Sequence, residues 1–530
     1  MRDQLRVAGL LAALALVGLA CQAAAPTPAK NAAGAPSAGQ APTGQAAAPA
    51  SGGPTRVVVG VTETLESQNP YADSVALAYG IWCEVLGCLV SLDPRTLENA
   101  PGLAERWEVE NPTTWVFHLR RNVKWHDGSP FTSADVAHSI NRIRTDRDSK
   151  QRQNLALVTD VQVVDDYTIK LITKEPTADL LAYFADLLII TSKAQYDQFG
   201  PDGINQQPPL GTGPYMFKEL IPKERMVIAK NPSWWGGPVA GPDEVVYRIM
   251  PEAEVRITAL LNGEIQIAEF VPPHMIERVS NSPNAKFVST DSIEFMFLAM
   301  QPKVKPWDNP LVRQAVGYAI DRDAIIQSVL RGQARRLEGA VGPGTYGYDP
   351  NLRSPYTYNP DKARQLLAQA GYPNGIDVEL ATPVNRYIQD KQSMEAVAAM
   401  LTAVGIRTRL LTPEWATLWA DVQAGKVPFY YMGRGGVVDA GAPLSQYFET
   451  GISPRIGYSN PQVDGLFSKQ RAAFEPNERK QVLSELMSRL LEEAPAQFLW
   501  TINMGWGLAK DLEYQPRVDV RIFANEMRVK

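Results

Sequence analysis

The chain has 530 residues, a length that predicts two or three lobes of ~150 to 200 residues each rather than one core. Hydrophobic residues make up 45% of it and charged residues 21%, which is typical of a soluble globular protein. The formal net charge of −5 comes without a long run of one sign, so the composition excludes nucleic acid as an expected partner.

The first segment has the pattern of an export signal. Arg2 and Arg6 precede an uncharged run, residues 7–20, whose ~14 residues are too few to span a bilayer as a helix. The run ends in Val-Gly-Leu-Ala-Cys, which resembles the bacterial lipobox, although Gly18 stands where leucine is usual. Residues 1–20 are therefore predicted to be a signal peptide and Cys21 to be lipidated. An ordinary signal peptide, cut elsewhere in the Ala-rich region, remains the alternative.

Residues 21–54 are rich in Ala, Pro, Gly and Ser and carry one charge, Lys30. A segment of this composition cannot bury enough apolar surface to fold. We predict a disordered, lipid-anchored tether, which as a coil of ~32 residues would span ~30 Å. Two or three acyl chains on its first residue would give stable membrane attachment.

Two further cysteines, Cys83 and Cys88, lie in the segment YGIWCEVLGCLVSL. Export would place them where disulfides persist. Residues five apart on an uninterrupted helix are too far apart for disulfide geometry, so pairing requires a helix break near Gly87. Two buried, unpaired cysteines remain the alternative.

From residue 55 onward the pattern is that of a mixed α/β protein. Strands are predicted in TRVVVGVT, TTWVFHLRR, the two halves of VQVVDDYTIKLIT, DEVVYRIM and FVSTDSIEFMFLAM. The turn of the VQVVDDYTIKLIT hairpin is predicted at Asp165-Asp166. Helical periodicity follows in LVRQAVGYAIDRDAIIQSVLRG, where Asp321 is predicted to cap a second helical segment that ends at Gly332.

The second half of the chain contains a helix and then a strand–helix–strand unit. The helix NPDKARQLLAQAGYPNG is closed by Gly371, and the unit consists of IDVELATP, QSMEAVAAMLTAVG and IRTRLLTP. Such alternation predicts a largely parallel sheet covered by helices. A long helix in PNERKQVLSELMSRLLEEAP and the strand-like FLWTINMGWGLA follow.

Three of the four histidines, His118, His126 and His138, lie within 21 positions and raise the question of a metal or catalytic centre. Neither His-Glu-x-x-His nor paired Cys-x-x-Cys is present, so we expect satisfied or exposed histidines and no metal. The chain has no Gly-x-Ser-x-Gly elbow, and GTGPY at 211–215 lacks the Lys-Ser or Lys-Thr of a phosphate loop. We therefore expect no catalytic residue and no cofactor.

The same region carries a resemblance to a known family. PGLAERWEVENPTTWVFHLRRNVKWHDGSPFTSADVAHSINRI resembles the signature of the family 5 extracellular solute-binding proteins of ABC importers, the dipeptide, oligopeptide and nickel-binding cluster. GTGPYMFKEL, NPSWWGGP, VRQAVGYAIDRDAII, YNPDKARQLLAQAGYPNG and IGYSNPQVDGLF are similar to further family segments, in the family's order. The resemblance covers residues 56 to 510.

This resemblance implies an α/β, two-lobed periplasmic-binding-protein-like fold (class II, type C cluster) with an extra subdomain inserted in lobe one. The lobes would close around a ligand by a hinge motion. The implied boundaries are lobe one in 55–92, 209–288 and 499–530, the inserted subdomain in 93–208, and lobe two in 289–498. His126 is then a structural residue, packed or hydrogen-bonded at a turn.

In the peptide-binding branch of this family, an arginine receives the peptide carboxylate and an aspartate receives the α-amino group. On the segment TPVNRYIQD the resemblance implies Arg386 for the carboxylate. On the loop MGRGGVVDAGAPLSQYF, counting back from Pro443 implies Asp439 for the amine, whereas counting forward from Met432 implies Val437.

Further ligand contacts are predicted around these two positions. Arg434 stands where the family has tryptophan, and an additional cation there would favour an anionic ligand group. The loop TETLESQNPY, by the family's precedent, adds Thr62, Glu63 and Thr64. Tyr387 is another candidate, although aromatic residues of this kind pack in cores more often than they line clefts.

The function implied is that of an extracytoplasmic receptor that captures di- or oligopeptides in an interlobe cleft and delivers them to an ABC permease. The permease and ATPase would be other chains, and the receptor a non-enzymatic monomer, lipid-anchored on the periplasmic or extracytoplasmic face of the cell membrane. The same role with an oligosaccharide, an opine-like compound or a nickel chelate is the first alternative. An exported metallohydrolase that uses the three histidines is a distant one, and chemosensing in place of transport remains open.

Overall fold

The computed structural model describes residues 55–62, 67–72, 76–184, 188–384 and 386–530, which belong to one compact unit, Gly53–Lys530. The predicted signal peptide, the lipidation site Cys21 and the tether to residue 54 lie outside the described residues, as do Glu63 and Thr64.

Strands and helices alternate along the described chain. The strands are β1 (Arg56–Val61), β2 (Val90–Leu92), β3 (Asn99–Pro101), β4 (Ala104–Asn111), β5 (Thr114–Leu119), β6 (Val158–Asp165), β7 (Thr168–Thr173), β8 (Tyr215–Ile221), β9 (Arg225–Lys230), β10 (Glu244–Ile249), β11 (Ile267–Ala268), β12 (Ala285–Met300), β13 (Ala334–Arg336), β14 (Ile376–Ala381), β15 (Ile406–Leu411), β16 (Phe429–Arg434), β17 (Ala496–Ala509), β18 (Leu512–Glu513) and β19 (Arg528–Val529).

The α-helices are α1 (Ala76–Val85), α2 (Ser133–Thr145), α3 (Leu180–Phe184), α4 (Lys193–Gly203), α5 (Ala253–Leu261), α6 (Ile276–Ser280), α7 (Pro310–Ala319), α8 (Arg322–Ser328), α9 (Pro360–Gln369), α10 (Asp390–Ala403), α11 (Trp415–Gln423), α12 (Gly441–Phe448), α13 (Pro461–Ala472) and α14 (Pro476–Glu493). Short 3₁₀ turns lie at Arg152–Leu155, Ile204–Gln206, Pro273–Met275 and Ala524–Glu526.

An eleven-stranded sheet runs through the whole unit, in the order β15-β14-β16-β12-β17-β11-β1-β10-β9-β8, with β13 beside β17. Its two longest strands, β12 and β17, are neighbours in the middle and pair antiparallel from Ala285↔Ala509 to Ala299↔Ala496. The chain therefore crosses the molecule along β12 and returns along β17. A separate four-stranded sheet, β4-β5-β7-β6, is built by the segment between β3 and α3.

The prediction of a largely parallel sheet is wrong. The pair β14–β15 is parallel, as the strand–helix–strand pattern indicated, and the pairs β14–β16, β1–β10 and β1–β11 are parallel as well. The pairs that β12 and β17 make with each other and with β16, β11 and β13 are antiparallel, because one strand leaves and the other returns. The sheet is mixed for that reason.

Separate hydrophobic cores lie on the two sides of this strand pair. The first contains buried residues from before β12 and from the C-terminal end, among them Trp82, Phe117 and Trp506, and we call the part packed around it lobe one. Two adjoining clusters of residues 295–504, which include Phe297 and Trp500, form the interior of what we call lobe two. The boundaries assigned from the sequence stay predictions.

Three predictions from short sequence segments, a helix cap, a helix-ending glycine and a hairpin turn, can be compared with the structure. The Asp321 side chain accepts a hydrogen bond from the Ala324 N–H at the start of α8, although that helix ends at Ser328, before Gly332. Gly371 follows α9 with a φ of 92°, a conformation that favours glycine. The β6–β7 turn lies at Asp166-Tyr167, one residue later than predicted, because β6 continues through Asp165.

Cys83 and Cys88 form a disulfide, with their Cα atoms 5.2 Å apart. Helix α1 ends at Val85, and Gly87 has a φ of 96°. The chain thus leaves the helix between the two cysteines, which is the break that pairing over five residues requires.

Glu84 ties lobe one to the C-terminal end of the chain. It lies on α1 and is only 3% exposed. Its carboxylate oxygens accept hydrogen bonds from the N–H groups of Ala524, at 2.6 Å, and Asn525, at 2.7 Å. Burial raises the pKa of Glu84 to about 8, although the two N–H groups act in the opposite direction. This carboxylate is the acceptor for two backbone donors that the fold encloses.

Replacing Glu84 with alanine should lower the free energy of unfolding by about 3 kcal/mol, because two enclosed N–H donors lose their acceptor. Urea titration followed by tryptophan fluorescence measures this change. The matched control is Glu98→Ala, since Glu98 is exposed in the turn between β2 and β3. Equal losses in the two variants would contradict the role of Glu84.

The pH dependence of the free energy of unfolding is a second test of the role of Glu84. Because the pKa of Glu84 is about 8 in the folded protein and near 4.5 ordinarily, its contribution to stability is greatest below pH 4.5 and falls as the pH rises through 8. Glu84→Ala should remove that part of the pH slope, and an unchanged slope would show that other groups cause it.

Candidate ligand-binding site

Strand β12 passes through the place where the two lobes meet. Ile293 on this strand packs in a small apolar cluster with Leu92 and Leu97 from lobe one, and Val438 and Val518 pack against it. The Ile293 N–H donates a hydrogen bond to the Val518 carbonyl oxygen at 3.1 Å. The next residue on the strand, Glu294, therefore lies at the junction of the lobes.

The Glu294 carboxylate lies against β16, where a glycine leaves room for it. A Cβ atom on Gly433 would be 2.9 Å from Glu294 Oε1, 2.8 Å from Tyr387 Cε1 and 2.7 Å from Met296 Sδ. Distances this short are repulsive, so a larger residue at 433 would displace one of these neighbours. Because residue 433 is glycine, the Glu294 carboxylate and the Tyr387 ring can both pack against the β16 backbone at this position.

Two arginines of lobe two surround this acid. Burial raises the pKa of Glu294, and the positive charges of Arg386 and, more weakly, Arg434 act against that rise. Among the described residues, the Glu294 carboxylate has no hydrogen-bond or ion-pair partner. It is a partly enclosed acid that the described residues leave unpaired.

The two guanidinium groups also lack an anionic partner within the described ranges. Arg386 lies over the rings of Tyr387, at 5.1 Å, and Trp415, at 5.2 Å, and its backbone N–H donates to Asp390. Arg434 donates from Nη1 to the carbonyl oxygen of Gly435 at 2.6 Å. Both cations therefore retain donors that can bind an anion.

Aromatic side chains hold this arrangement in place. The Tyr387 hydroxyl donates to the Gly433 carbonyl oxygen at 3.3 Å, and burial raises the pKa of Tyr387 above its ordinary value. Its ring meets that of Trp415 edge-on at 6.2 Å, and Trp415 stacks on Trp419 at 5.8 Å. We call Glu294, Arg386, Arg434, Tyr387 and Trp415 the charged site.

Asp439 lies in a different environment. It is 6% exposed, and both its carboxylate oxygens accept hydrogen bonds from Arg479 on α14, at 2.6 and 2.7 Å. Oδ1 also accepts from the Gly441 N–H at 2.8 Å. In this arrangement the carboxylate is occupied within lobe two, and its predicted contact with a ligand amine stays a prediction that requires Arg479 to release it.

The Asp439–Arg479 pair continues into a polar chain that reaches another part of the fold. Gln470 on α13 accepts from Arg479 Nε at 3.0 Å and donates to Asp179 at 3.2 Å. Asp179 lies in the loop between β7 and α3, and burial raises its pKa. We call Asp439, Arg479, Gln470 and Asp179 the buried polar chain, and it joins lobe two to the segment that carries the four-stranded sheet.

Neighbouring contacts strengthen this junction. The Ala178 N–H donates to the Arg471 carbonyl oxygen at 2.7 Å, and Arg471 forms a two-pronged ion pair with Glu449. The rings of Trp115 on β5 and Phe474 lie 6.2 Å apart. Movement of the two parts away from each other would break the Ala178–Arg471 hydrogen bond and the Trp115–Phe474 contact together, while the Arg471–Glu449 pair would stay within lobe two.

Replacing Arg479 with methionine should lower the free energy of unfolding by about 3–5 kcal/mol, because Asp439 and Asp179 lose the cation enclosed between them. Denaturant titration measures the loss. Arg489→Met is the matched control, since Arg489 lies on the same helix but pairs with Glu492 at the surface. A loss no larger than that of the control would contradict the structural role of Arg479.

The other predicted ligand residues lie apart from the charged site. Thr62 donates hydrogen bonds from its N–H and hydroxyl to Glu269 Oε2, at 2.7 and 2.9 Å, both within lobe one. Val437, the alternative to Asp439, is fully buried in a core of lobe two. Glu63 and Thr64 are outside the described residues. Of the predicted set, the structure brings together Arg386, Arg434 and Tyr387.

The three clustered histidines lie on separate elements. His126 donates from Nε2 to the Gly213 carbonyl oxygen at 3.1 Å and accepts at Nδ1 from the Gly211 N–H at 3.3 Å, which requires a neutral ring. Burial lowers the pKa of His126. Burial and the nearby positive charge of Arg142 lower the pKa of His138 to about 4, and the His138 ring packs on Tyr196.

His118 lies on β5, 3.4 Å from Glu108. Within the part of the chain that the structure describes, no three His, Cys, Asp or Glu side chains are grouped so that they could hold a metal ion. His126 borders a surface pocket of about 380 Å³ whose walls include Gln195, Phe199 and Lys218 but no member of the charged site.

None of the described helices has the combination of length and apolar composition that crossing a membrane requires.

Comparison with known proteins assigns the chain to a family. Residues 98–453, more than half of the chain, match the family of bacterial extracellular solute-binding proteins, family 5 middle region. The chain belongs to this family. The resemblance found in the sequence and the two-lobed α/β fold class are both confirmed.

Relatives of known name bind different solutes. The chain is 29% identical to the dipeptide-binding protein of Escherichia coli (strain K12), over 77% of this chain and 82% of that protein. It is 28% identical to the glutathione-binding protein GsiB of Pectobacterium atrosepticum, over 84% and 88%. It superposes with a TM-score of 0.74 and 26% identity on the binding protein AgaA from A. tumefacien R10 in complex with agropinic acid, over 90% and 99% of the two chains.

Sequence reasoning missed Glu294, although a signal for it was present. The segment IEFMFLAM is continuously apolar except for this one acid, and such a segment predicts a strand buried on both faces. A charged residue inside a buried strand is rarely found without a partner or a function. The strand was predicted, and the anomaly inside it was the overlooked signal.

Proposed function

We propose that this family 5 protein is an extracytoplasmic receptor that captures a di- or oligopeptide between its lobes and delivers it to an ABC permease. The observation that carries the proposal is that two guanidinium groups, Arg386 and Arg434, act on Glu294 at the lobe junction and have no ion-pair partner among the described residues. A ligand carboxylate would supply the missing partner.

The chemistry of Arg386 suits a peptide terminus. A guanidinium group binds a carboxylate through two parallel hydrogen bonds, and such bonds are stronger where water is excluded. Tyr387 and Trp415 fix one face of the Arg386 group and leave its edge for the ligand. Peptides of different sequence share this terminal carboxylate, so a contact there would leave side-chain selectivity permissive.

The remaining parts of the proposal follow the family. The receptor is not an enzyme, acts as a monomer, and meets permease and ATPase subunits that are separate chains. Its N-terminal segment directs export, and Cys21 carries the lipid anchor on the outer face of the cell membrane, with residues 21–54 as the tether.

A second candidate is the same role with a different anionic solute. Two observations favour it: the Asp439 carboxylate is occupied by Arg479, and the family's tryptophan is replaced by Arg434. The relatives include proteins named for glutathione and one bound to agropinic acid, so the family accommodates more than simple dipeptides.

The test is a binding screen against di- to pentapeptides, glutathione, agropinic acid, sugars and nickel chelates. A peptide ligand should raise the melting temperature by mass action, and its C-terminal amide should bind at least ~10-fold more weakly in calorimetry. A response to a sugar or a nickel chelate with none to any peptide would overturn the peptide proposal.

Arg386→Ala should weaken the binding of the best peptide by about 10–100-fold, because it removes charge-assisted hydrogen bonds to the carboxylate. The matched control is Arg409→Ala on β15, since the Arg409 side chain is 69% exposed and pairs with Glu379 at the surface. Calorimetry on both variants measures the effect, and unchanged affinity in Arg386→Ala would show that the carboxylate binds elsewhere.

A further inference from the structure

The charged site contains one acid and two bases, all without an ion-pair partner among the described residues. Glu294 has no hydrogen bond to its carboxylate, Arg386 is held by aromatic rings, and Arg434 donates to a backbone carbonyl group. Arg386 is exposed and Arg434 half-buried, whereas the buried arginines Arg313, Arg322 and Arg479 of lobe two donate to carbonyl or carboxylate oxygens. Arg386 and Arg434 thus keep open hydrogen-bonding capacity in the neighbourhood of Glu294.

The two arginines do not replace a cationic partner for Glu294. Their charges act on it, yet neither guanidinium group donates a hydrogen bond to it, and each is held by other contacts. A carboxylate that is largely withdrawn from water without a hydrogen bond is costly. A ligand group that brought its own N–H donors and a positive charge would remove that cost.

Two glycines beside Arg434 leave room for the Glu294 carboxylate. Gly433 and Gly435 on and after β16 both face the Glu294 carboxylate, with their hypothetical Cβ positions 2.9 and 3.7 Å from Oε1. At Gly433 a Cβ atom would also meet Tyr387 and Met296. The acid therefore occupies space that Gly433 and Gly435, the two neighbours of Arg434, leave open.

We propose that the charged site selects a ligand with one ammonium and two carboxylate groups, in which Glu294 receives the ammonium group and Arg386 and Arg434 each receive a carboxylate. The ligand class is an acidic peptide or γ-glutamyl peptide with a free amino group and a net charge of −1. This inference rests on the proposed function and adds to it the position that reads the amine and the reason for a second cation.

In this assignment the amine is read by a residue of the crossing strand β12 and not by Asp439. Asp439 instead remains in the buried polar chain, where both its oxygens are bound. The two acids then have different effects when replaced: one changes ligand preference, and the other changes stability.

The test uses three related probes with the purified mature protein. Alanylglutamate has an ammonium group and two carboxylates, propionylglutamate lacks only the ammonium group, and alanylglutamine lacks only the second carboxylate. Calorimetry gives the affinity of each probe for the wild type, Glu294→Gln and Arg434→Gln. Melting temperatures of the unliganded variants establish that they are folded.

For the wild type we expect alanylglutamate to bind at least ~10-fold more tightly than either of the other probes. In Glu294→Gln, the advantage over propionylglutamate should fall below ~3-fold while the advantage over alanylglutamine persists. In Arg434→Gln, the preference for alanylglutamate over alanylglutamine should fall below ~3-fold, while its preference over propionylglutamate persists. A purely structural role of either residue would not make each variant lose a different one of the two preferences.

Two results would overturn the inference and leave the proposed function in place: equal affinity of the wild type for alanylglutamate and alanylglutamine, or an unchanged ammonium advantage in Glu294→Gln. Failure of the wild type to bind alanylglutamate, alanylglutamine or any peptide of the wider screen would overturn both. If Glu294→Gln does not fold, Glu294→Asp replaces it as the test variant. An unchanged preference of Glu294→Asp for alanylglutamate over propionylglutamate would count against a contact between Glu294 and the ammonium group.

Discussion

The antiparallel pairing of β12 with β17 is the constraint on which the rest of the structure depends. These adjacent strands carry the chain from lobe one to lobe two and back, so every strand of the large sheet is placed relative to them. Their register is interrupted between Asp291 and Phe295, and Glu294 lies within that interruption, at the junction of the lobes. The position of the charged site follows from where the crossing strand departs from regular pairing.

The molecule contains two kinds of charged cluster with opposite consequences. In the buried polar chain the charges of Asp439 and Arg479 satisfy each other, and replacing one partner leaves the other enclosed and unpaired. In the charged site no ion-pair partner for the acid or the two arginines lies among the described residues, a state that favours a ligand of complementary charge. The first kind holds parts of the fold together, whereas the second is suited to recognition.

Local features were predictable from the sequence, and features set by long-range pairing were not. The Asp321 cap and the glycine after α9 depend on a few neighbouring residues, and the structure has both. Asp439 lies in the loop between β16 and α12, its partner lies 40 positions further along on helix α14, and no local pattern indicates the pairing. The mixed sheet was mispredicted for the same reason, because strand–helix–strand alternation does not reveal a chain that crosses and returns.

The hydrogen bonds from Ala524 and Asn525 to Glu84 have a consequence for the order in which the protein matures. The partners are 440 and 441 positions apart, so Glu84 is synthesised long before its donors. Domains commonly fold in the order of their synthesis, the N-terminal one first. Here the lobe whose first strands are made early acquires the Glu84 hydrogen bonds only after residues 524 and 525 have been added.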